Sequence, residues 1–356
     1  MRHALMLGRR GVGRTGRNPS VGCVIVADGV VVGRGRTQDG GRPHAEAVAL
    51  KEAGARARGA TAYVTLEPCA TVTDTPACSE TLIGAGMKRV VAAMQDPDAR
   101  TAGAGFAKMR AAGIEVVTGV LEAEARETHA GFLMRLAENR PFVTLKIAQS
   151  LDGRTASATG DSKWITSGRA RAFGHLLRAR NDAILVGVET ALADDPELTC
   201  RLPGQEGLSP LRVVLDTRLR TRPGSKLVAT AKRQPTVVFA AAEKGGDSLR
   251  AAGVEIVRVA RDARGRPDLG AVLNDLAGLG ISRLLVEGGA TVHAAFLDRG
   301  YADALEVFTA PITLGASGHS AIDALAALTV GEAPKFTRTL VRKFGPDVLE
   351  SYRRKA

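Results

Sequence analysis

The sequence predicts an α/β protein of two domains, and three observations lead there. Its 356 residues exceed the ~100–150 of a usual domain and suffice for two hydrophobic cores. Short runs rich in Val and Ile alternate with helical stretches, the pattern of a sheet covered by helices on both faces. A breaker, Asn139-Arg140-Pro141, ends one long helical stretch, and a new strand begins at Phe142. The boundary is placed there, giving domains 1–141 and 142–356.

The first domain opens in helical sequence, Met1–Arg10, an abrupt start that leads us to expect a few native residues upstream. Strands Val21–Val26 and Val30–Gly33 flank Asp28-Gly29, a two-residue hairpin signal. Helices are expected at His44–Ala53, Cys78–Gly84, Gly105–Ala112 and Glu122–Leu136, and strands at Ala60–Thr65, Arg89–Ala93 and Glu115–Thr118. The second domain repeats the alternation. Strands are expected at Phe142–Ala148, Ala183–Gly187, Arg212–Asp216, Thr236–Ala240, Glu255–Val259, Arg283–Val286 and Ala304–Thr309. Its helices are Ser167–Arg180, Leu269–Leu279 and Ala290–Arg299, and the segments Leu202–Pro210 and Arg261–Pro267 read as loops. No internal repeat or low-complexity segment is visible.

Composition narrows the class. Hydrophobic residues make up 45% and aromatics only 4%, so small Ala, Val and Gly pack much of a globular interior. The net charge of +12 raises nucleic acid as a partner. Its distribution argues against one: residues 1–141 carry 19 Lys and Arg against 14 Asp and Glu, the rest 30 against 23. Basic and aromatic residues are not interleaved as base-stacking surfaces require. A phosphorylated small molecule accounts for the excess. No signal segment and no apolar stretch near 18 residues is seen, so membrane insertion is not expected. Four cysteines suggest no disulfide framework, which fits a reducing cytosol. Cys23, inside an apolar run, reads as a core residue.

The chemistry concentrates in His44-Ala45-Glu46, followed by Pro68-Cys69 and then Cys78. One imidazole and two thiolates suit a tetrahedral zinc ion with one position left for water, whose pKa zinc lowers to about 7. Glu46, two residues past the histidine, is placed to carry protons without being a ligand. Zinc deaminases that act on nucleobase rings use this set in this order. A structural zinc site would need a fourth protein ligand, and His129 lies far along the chain; the thiols could otherwise be ordinary buried cysteines. Each ligand segment precedes a helix, whose positive end favours thiolate.

Two glycine-rich segments compete for a cofactor. Gly11-Val12-Gly13-Arg14-Thr15-Gly16 matches a dinucleotide fingerprint only as a string, since it follows a helix and precedes a strand. It reads as a loop. Glu287-Gly288-Gly289 follows a buried strand and opens a helix, so it is either a pyrophosphate cradle or a tight structural turn.

Taken together, several segments give the chain a family likeness. They are Asn18-Pro19-Ser20-Val21-Gly22-Cys23, Pro43-His44-Ala45-Glu46, Thr65-Leu66-Glu67-Pro68-Cys69 with Thr75-Pro76-Ala77-Cys78, and Ala93-Met94-Gln95-Asp96-Pro97. In the second half they are Leu145-Lys146, Ser150-Leu151-Asp152-Gly153-Arg154, Trp164-Ile165-Thr166, Ala193-Asp194-Asp195-Pro196-Glu197-Leu198-Thr199 and Val286-Glu287-Gly288-Gly289. Over nearly its full length the chain resembles the bifunctional deaminase–reductases of riboflavin biosynthesis.

The resemblance implies a cytidine-deaminase-like three-layer domain followed by a dihydrofolate-reductase-like α/β domain. The first would deaminate 2,5-diamino-6-ribosylamino-4(3H)-pyrimidinone 5′-phosphate. The second would reduce the ribosyl chain of the product to ribityl with NADPH. By position, His44, Cys69 and Cys78 hold one zinc and Glu46 shuttles the proton. Ala148, Trp164, Thr190, Asp194 and Thr217 would line the NADPH site, with Gly289, Ala290, Thr291, Val292, His293, Ala294 and Ala295. Ser162, Arg178, Leu198, Arg201 and Glu287 would contact substrate. A planar guanidinium suits a phosphate, so Arg178 and Arg201 are candidates for it, a surface ion pair being the alternative. Arg218, Arg220 and Arg222 could favour NADPH over NADH or form a solvated loop. Relatives imply a homodimer or larger homo-oligomer in the cytoplasm.

Two departures stand out. Between the thiols the family carries a His- and Arg/Lys-containing stretch, and here it reads Ala70-Thr71-Val72-Thr73-Asp74-Thr75-Pro76-Ala77; position 37 is Thr where many relatives have His. An alternative assignment therefore keeps both domains and moves the deaminase to another amino-pyrimidine or a purine.

Overall fold

The structure, a computed structural model, describes residues 1–72, 75–99 and 101–355. Thr73 and Asp74, two of the eight residues of the unusual 70–77 segment, lie outside the described residues. The chain divides into two units, Met1–Pro141 and Phe142–Ala356.

In the first unit, β1 (Gly22–Ala27), β2 (Val30–Arg36), β3 (Thr61–Val64), β4 (Arg89–Ala92) and β5 (Glu115–Val117) form one sheet in the order β2-β1-β3-β4-β5. The pairs β1–β2 and β1–β3 are antiparallel, and β3–β4 and β4–β5 are parallel. Asp28 and Gly29 both take positive φ, 49° and 77°, the twist a tight hairpin needs. Five helices flank the sheet: α1 (Arg2–Arg10), α2 (Ala45–Ala53), α3 (Cys78–Gly84), α4 (Ala104–Ala111) and α5 (Glu122–Glu138). One core unites them, with Ala45, Ala49 and Ala53 of α2, Leu82 of α3, Phe106 and Met109 of α4 and Phe132 of α5 buried against Ile25, Ala62 and Val90. The alanines of α2, spaced by four, present a flat helix face. Opposite them a Cβ on Gly35 would come within 2.1 Å of the Ala45 carbonyl oxygen, and one on Gly33 within 2.2 Å of that of Ala49. Only glycine lets α2 lie this close to β2, and that contact fixes where α2 begins.

The second unit holds β6 (Phe142–Ser150), β8 (Ala183–Gly187), β9 (Leu211–Leu215), β10 (Thr236–Ala240), β11 (Glu255–Arg258), β12 (Arg283–Gly288), β13 (Ala304–Ala310), β15 (Phe336–Phe344) and β16 (Asp347–Arg354) in one nine-stranded sheet. Its order is β11-β10-β9-β8-β12-β6-β13-β16-β15. The first seven positions are parallel, and β16 joins antiparallel to both neighbours. A small pair, β7 (Arg154–Ala156) with β14 (His319–Ser320), stands apart.

Burial alternates along the parallel strands. Leu185, Val213, Val237 and Phe239 face a core shared with α10 (Leu269–Gly278) and α11 (Ala290–Asp298). Ile184, Val186, Val214 and Val238 face a second core with α6 (Gly168–Ala179), α7 (Val188–Asp194), α8 (Lys226–Ala229) and α9 (Asp247–Ala251). Helices therefore cover both faces, as parallel sheets require. The hairpin β15–β16 and the helices α7, α8 and α9 are additions to what the sequence pattern predicts.

Candidate active sites

In the first unit the site assembles where strand-to-helix loops meet helix starts. His44 is the residue just before α2, Glu46 sits in the first turn of α2, Cys69 follows β3, and Cys78 opens α3. The three ligand atoms lie within 4.8 Å of one another. His44 Nδ1 is 3.3 Å from Cys78 Sγ and 3.7 Å from Cys69 Sγ. A tetrahedral zinc ion with usual bond lengths separates nitrogen from sulfur by about 3.5 Å, so the donor set fits zinc. Among the described residues this is the one group of three metal-binding side chains so placed.

The surroundings hold these donors in place. The Cys69 carbonyl accepts the backbone N–H and hydroxyl of Ser79, at 3.1 and 3.0 Å, and Cys69 Sγ accepts the Cys78 N–H at 3.3 Å. Hydrogen bonds from the Cys78 side chain and backbone pull Cys69 down to about 4, while Cys78, donating its thiol to Cys69, is pushed up. Glu46 is 3% exposed, and burial raises its carboxyl to about 7 despite the attraction of His44. That value suits a group that both takes and gives protons near neutrality.

A cavity of about 170 Å³ opens over these residues, with Asn18, Thr37, Arg42, Asp96 and Thr101 on its walls. Thr37 is buried, accepting the Val21 N–H at 2.9 Å and donating to the Pro19 carbonyl at 3.0 Å, so it supports the wall. Asp96 and Glu67 carried no role in the sequence reading. Their signal lies in the Glu67-Pro68-Cys69 and Gln95-Asp96-Pro97 segments, two acidic residues that the fold buries side by side.

In the second unit a larger cavity, about 710 Å³, lies at the carboxyl ends of β6, β8, β12 and β13, where α/β sheets bind ligands. It brings together Ala148, Ser162, Trp164, Arg178, Thr190, Asp194, Leu198, Arg201 and Glu287. Thr217 and Gly289–Ala295 are not on its walls. Of these, His293 and Ala294 are buried, each 5% exposed, and face the protein interior. Gly288 takes φ 129° and a Cβ on Gly289 would come 3.1 Å from Thr190 Oγ1. The turn thus presents bare backbone behind Thr190, as a cradle for a phosphorylated cofactor does.

Arg178, one of the two candidates for the substrate phosphate, lies on the cavity wall and forms an ion pair with Glu287. Nε and Nη2 bind the Glu287 carboxylate at 2.8 Å each and Nη1 the Thr199 carbonyl at 3.0 Å. Arg201 pairs with Glu197 at 2.6 Å and stays about half exposed. Arg220 pairs with Glu189. Trp164 is no core residue: it is 66% exposed, with the Arg171 guanidinium 4.3 Å from its ring centre. Lys146, in the middle of β6, also lines the cavity, and burial lowers its pKa.

Fold and donor set together define a zinc-dependent deaminase unit joined to a parallel α/β unit with a cofactor-sized cavity. Residues 1–94 match the cytidine and deoxycytidylate deaminase zinc-binding region, and residues 141–349 match the RibD C-terminal domain. A riboflavin biosynthesis protein RibD of Aquifex aeolicus is 41% identical, covering 99% of this chain and 97% of the relative. That of Escherichia coli is 41% identical over 98% and 96%. Among solved structures, Acinetobacter baumannii RibD aligns with a TM-score of 0.89 at 36% identity, covering 100% of this chain and 98% of that one. A Thermotoga maritima protein described as a diaminohydroxyphosphoribosylaminopyrimidine deaminase/5-amino-6-(5-phosphoribosylamino)uracil reductase aligns equally, at 0.89 and 34% identity over 100% and 97%. The chain belongs to the RibD family of bifunctional riboflavin-biosynthesis deaminase–reductases.

Proposed function

We propose that the two reactions are divided between residues 1–141 and 142–356, with His44, Cys69 and Cys78 holding one zinc and Glu46 moving the proton. The protein is a bifunctional riboflavin-pathway enzyme: it hydrolyses the 2-amino group from the phosphoribosylated diaminopyrimidinone, then reduces the ribosyl chain of the product to ribityl. When bound, zinc supplies the Lewis acid that makes water nucleophilic near neutral pH. The Glu46 carboxylate takes one proton from the attacking water and delivers it to the amine, so a C–O bond forms, the C–N bond breaks and ammonia leaves. The single observation carrying this reading is the set of one nitrogen and two sulfurs within 4.8 Å beside a buried Glu46.

NADPH supplies the hydride for the second reaction. Around it, Ala148, Trp164, Thr190, Asp194, Thr217 and the Gly289–Ala295 turn are assigned to the cofactor, and Ser162, Arg178, Leu198, Arg201 and Glu287 to substrate. Arg178 acts there through Glu287, which it holds ionised, whereas Arg201 on the rim is the candidate for the phosphate. Lys146, half-buried beside that pair, is the proton source for the uptake that accompanies hydride addition.

The same reading makes the protein a cytoplasmic homodimer or larger homo-oligomer that acts on small phosphorylated pyrimidines and on neither nucleic acid nor membrane. Free cysteines without disulfides support the compartment, and among the described residues no helix is long and apolar enough to cross a membrane. Exposed Leu340 and Val341 on the edge strand β15 favour self-association. A coupled assay with the riboflavin precursor, following ammonia and NADPH together, tests the function. Ammonia release without later NADPH oxidation, or neither, would overturn it.

A further inference from the structure

The deaminase substrate carries its phosphate at the far end of the sugar from the reacting ring. Such a group brings a charge of roughly −1.5 to −2, yet the charged side chains lining the cavity above the metal ligands are mostly acidic. Glu46, Glu67, Asp96 and Asp98 all line it. Of lysines and arginines, the described lining contains one, Arg42. The segment between the two thiols, Ala70–Ala77, contains no Lys, Arg or His at all. Lys108 reaches that segment but spends its charge on the Ala70 carbonyl and on Glu80, at 3.1 and 2.9 Å.

Arg42 is differently placed. It lies two residues before His44, so its Cα is within about 7 Å of that ligand's Cα. Its backbone is extended, with φ −144° and ψ 151°, and its exposed side chain reaches the segment between the two thiols. There Nη1 donates to Thr75 Oγ1 at 2.7 Å. That contact fixes the guanidinium with one hydrogen bond, and a guanidinium has five N–H donors in a planar fork. Among the described residues, no carboxylate pairs with it.

We infer that Arg42 is the phosphate-recognising residue of the deaminase site, held by Thr75 and taking the place of a cation from the 70–77 segment. The inference rests on the function proposed above and deepens it: Arg42 selects the 5′-phosphorylated substrate over its nucleoside. Arg42 takes no part in bond breaking, so its loss acts on KM and leaves kcat nearly unchanged.

The test uses the full-length zinc-loaded enzyme, R42Q and R42K, with ammonia release measured on the phosphorylated substrate and on the same compound after phosphatase treatment. In R42Q the ratio of the two kcat/KM values falls about 10- to 100-fold, the range of a hydrogen bond to a charged group. Activity on the dephosphorylated compound, zinc content and NADPH oxidation stay at wild-type levels, and R42K restores part of the ratio. Inorganic phosphate, a competitive inhibitor of the wild type, loses potency against R42Q. An unchanged ratio, or an equal loss on both compounds, overturns the assignment of Arg42 while leaving the function intact. A wild-type enzyme that releases ammonia from neither compound overturns the function and this inference with it.

Discussion

Arg178 grips Glu287 through two parallel hydrogen bonds, Nε to Oε1 and Nη2 to Oε2, both 2.8 Å long. The side chains are only 15% and 9% exposed, so the pair joins α6 to the end of β12 out of water, at the wall of the larger cavity.

The pair makes stability depend on pH. Burial works to raise the Glu287 carboxyl, but the Arg178 charge and hydrogen bonds overcome it and hold it at about 2. A carboxyl with a lowered folded pKa stabilises the fold above its ordinary range near 4.5. That stability is lost as pH falls from about 4.5 toward 2. Glu287→Gln strands a buried guanidinium and is expected to cost about 3–5 kcal/mol at pH 7. Urea unfolding of wild type and variant from pH 7 to pH 3 should show the gap narrowing as the pH drops. A gap that stays constant with pH would refute the ion pair as its source.

The two reactions should respond separately to loss of metal. Chelation of zinc, or Cys69→Ser, is expected to abolish ammonia release and leave NADPH oxidation on the deaminated intermediate at its original rate. Glu46→Gln keeps the metal, measured by elemental analysis, yet lowers ammonia release by about 10²–10⁴-fold, the usual contribution of a positioned proton carrier. Loss of reduction in Glu46→Gln would count against two independent sites.

The close approach of α2 to β2 gives a third prediction. Gly35→Ala puts a methyl 2.1 Å from the Ala45 oxygen and 2.7 Å from the Ala49 nitrogen, backbone atoms that can yield only if the helix moves. Overpacking of this kind costs about 1–3 kcal/mol. Because His44 and Glu46 ride on the start of α2, zinc affinity and ammonia release should fall together, with NADPH oxidation unaffected. Unchanged zinc affinity would show that the helix start is set by something other than this contact.

Much of the first site was legible because its residues sit in short, ordered strings: His44-Ala45-Glu46 and Pro68-Cys69, with Cys78 a few residues on, state the ligand set and the proton carrier. Alternating Val and Ile announced the parallel strands, since both faces of each are buried. The hairpin Phe336–Phe344 and Asp347–Arg354 was not legible. Seven of the nine residues of β15 are exposed, so no burial alternation marks it as a strand. Arg178 was legible as a cation and not as half of an ion pair, because Glu287 is brought to it only by the packing of α6 over the sheet. Ala294 entered the cofactor assignment by position alone, and its burial could be known only from the fold.

Glu67 shows how a residue outside the chemistry can govern binding. Its Oε2 accepts the N–H groups of Asp96 and Gly103 at 3.2 and 2.9 Å, and its Oε1 that of Phe106 at 3.1 Å. Three amides of the segment from Asp96 to the first turn of α4 thus converge on one buried carboxylate, and Asp96, Asp98 and Thr101 of that segment line the deaminase cavity. Glu67→Gln keeps the size but offers one carbonyl oxygen and turns an NH₂ toward at least one N–H, leaving that donor unsatisfied at about 1–3 kcal/mol. The expected outcome is faster hydrogen exchange at Gly103 and Phe106 with a raised KM for ammonia release. Zinc content and kcat should hold, because neither the ligands nor Glu46 depends on these bonds. If kcat falls while KM and exchange stay as they were, Glu67 acts on the reaction itself and not through the wall it anchors.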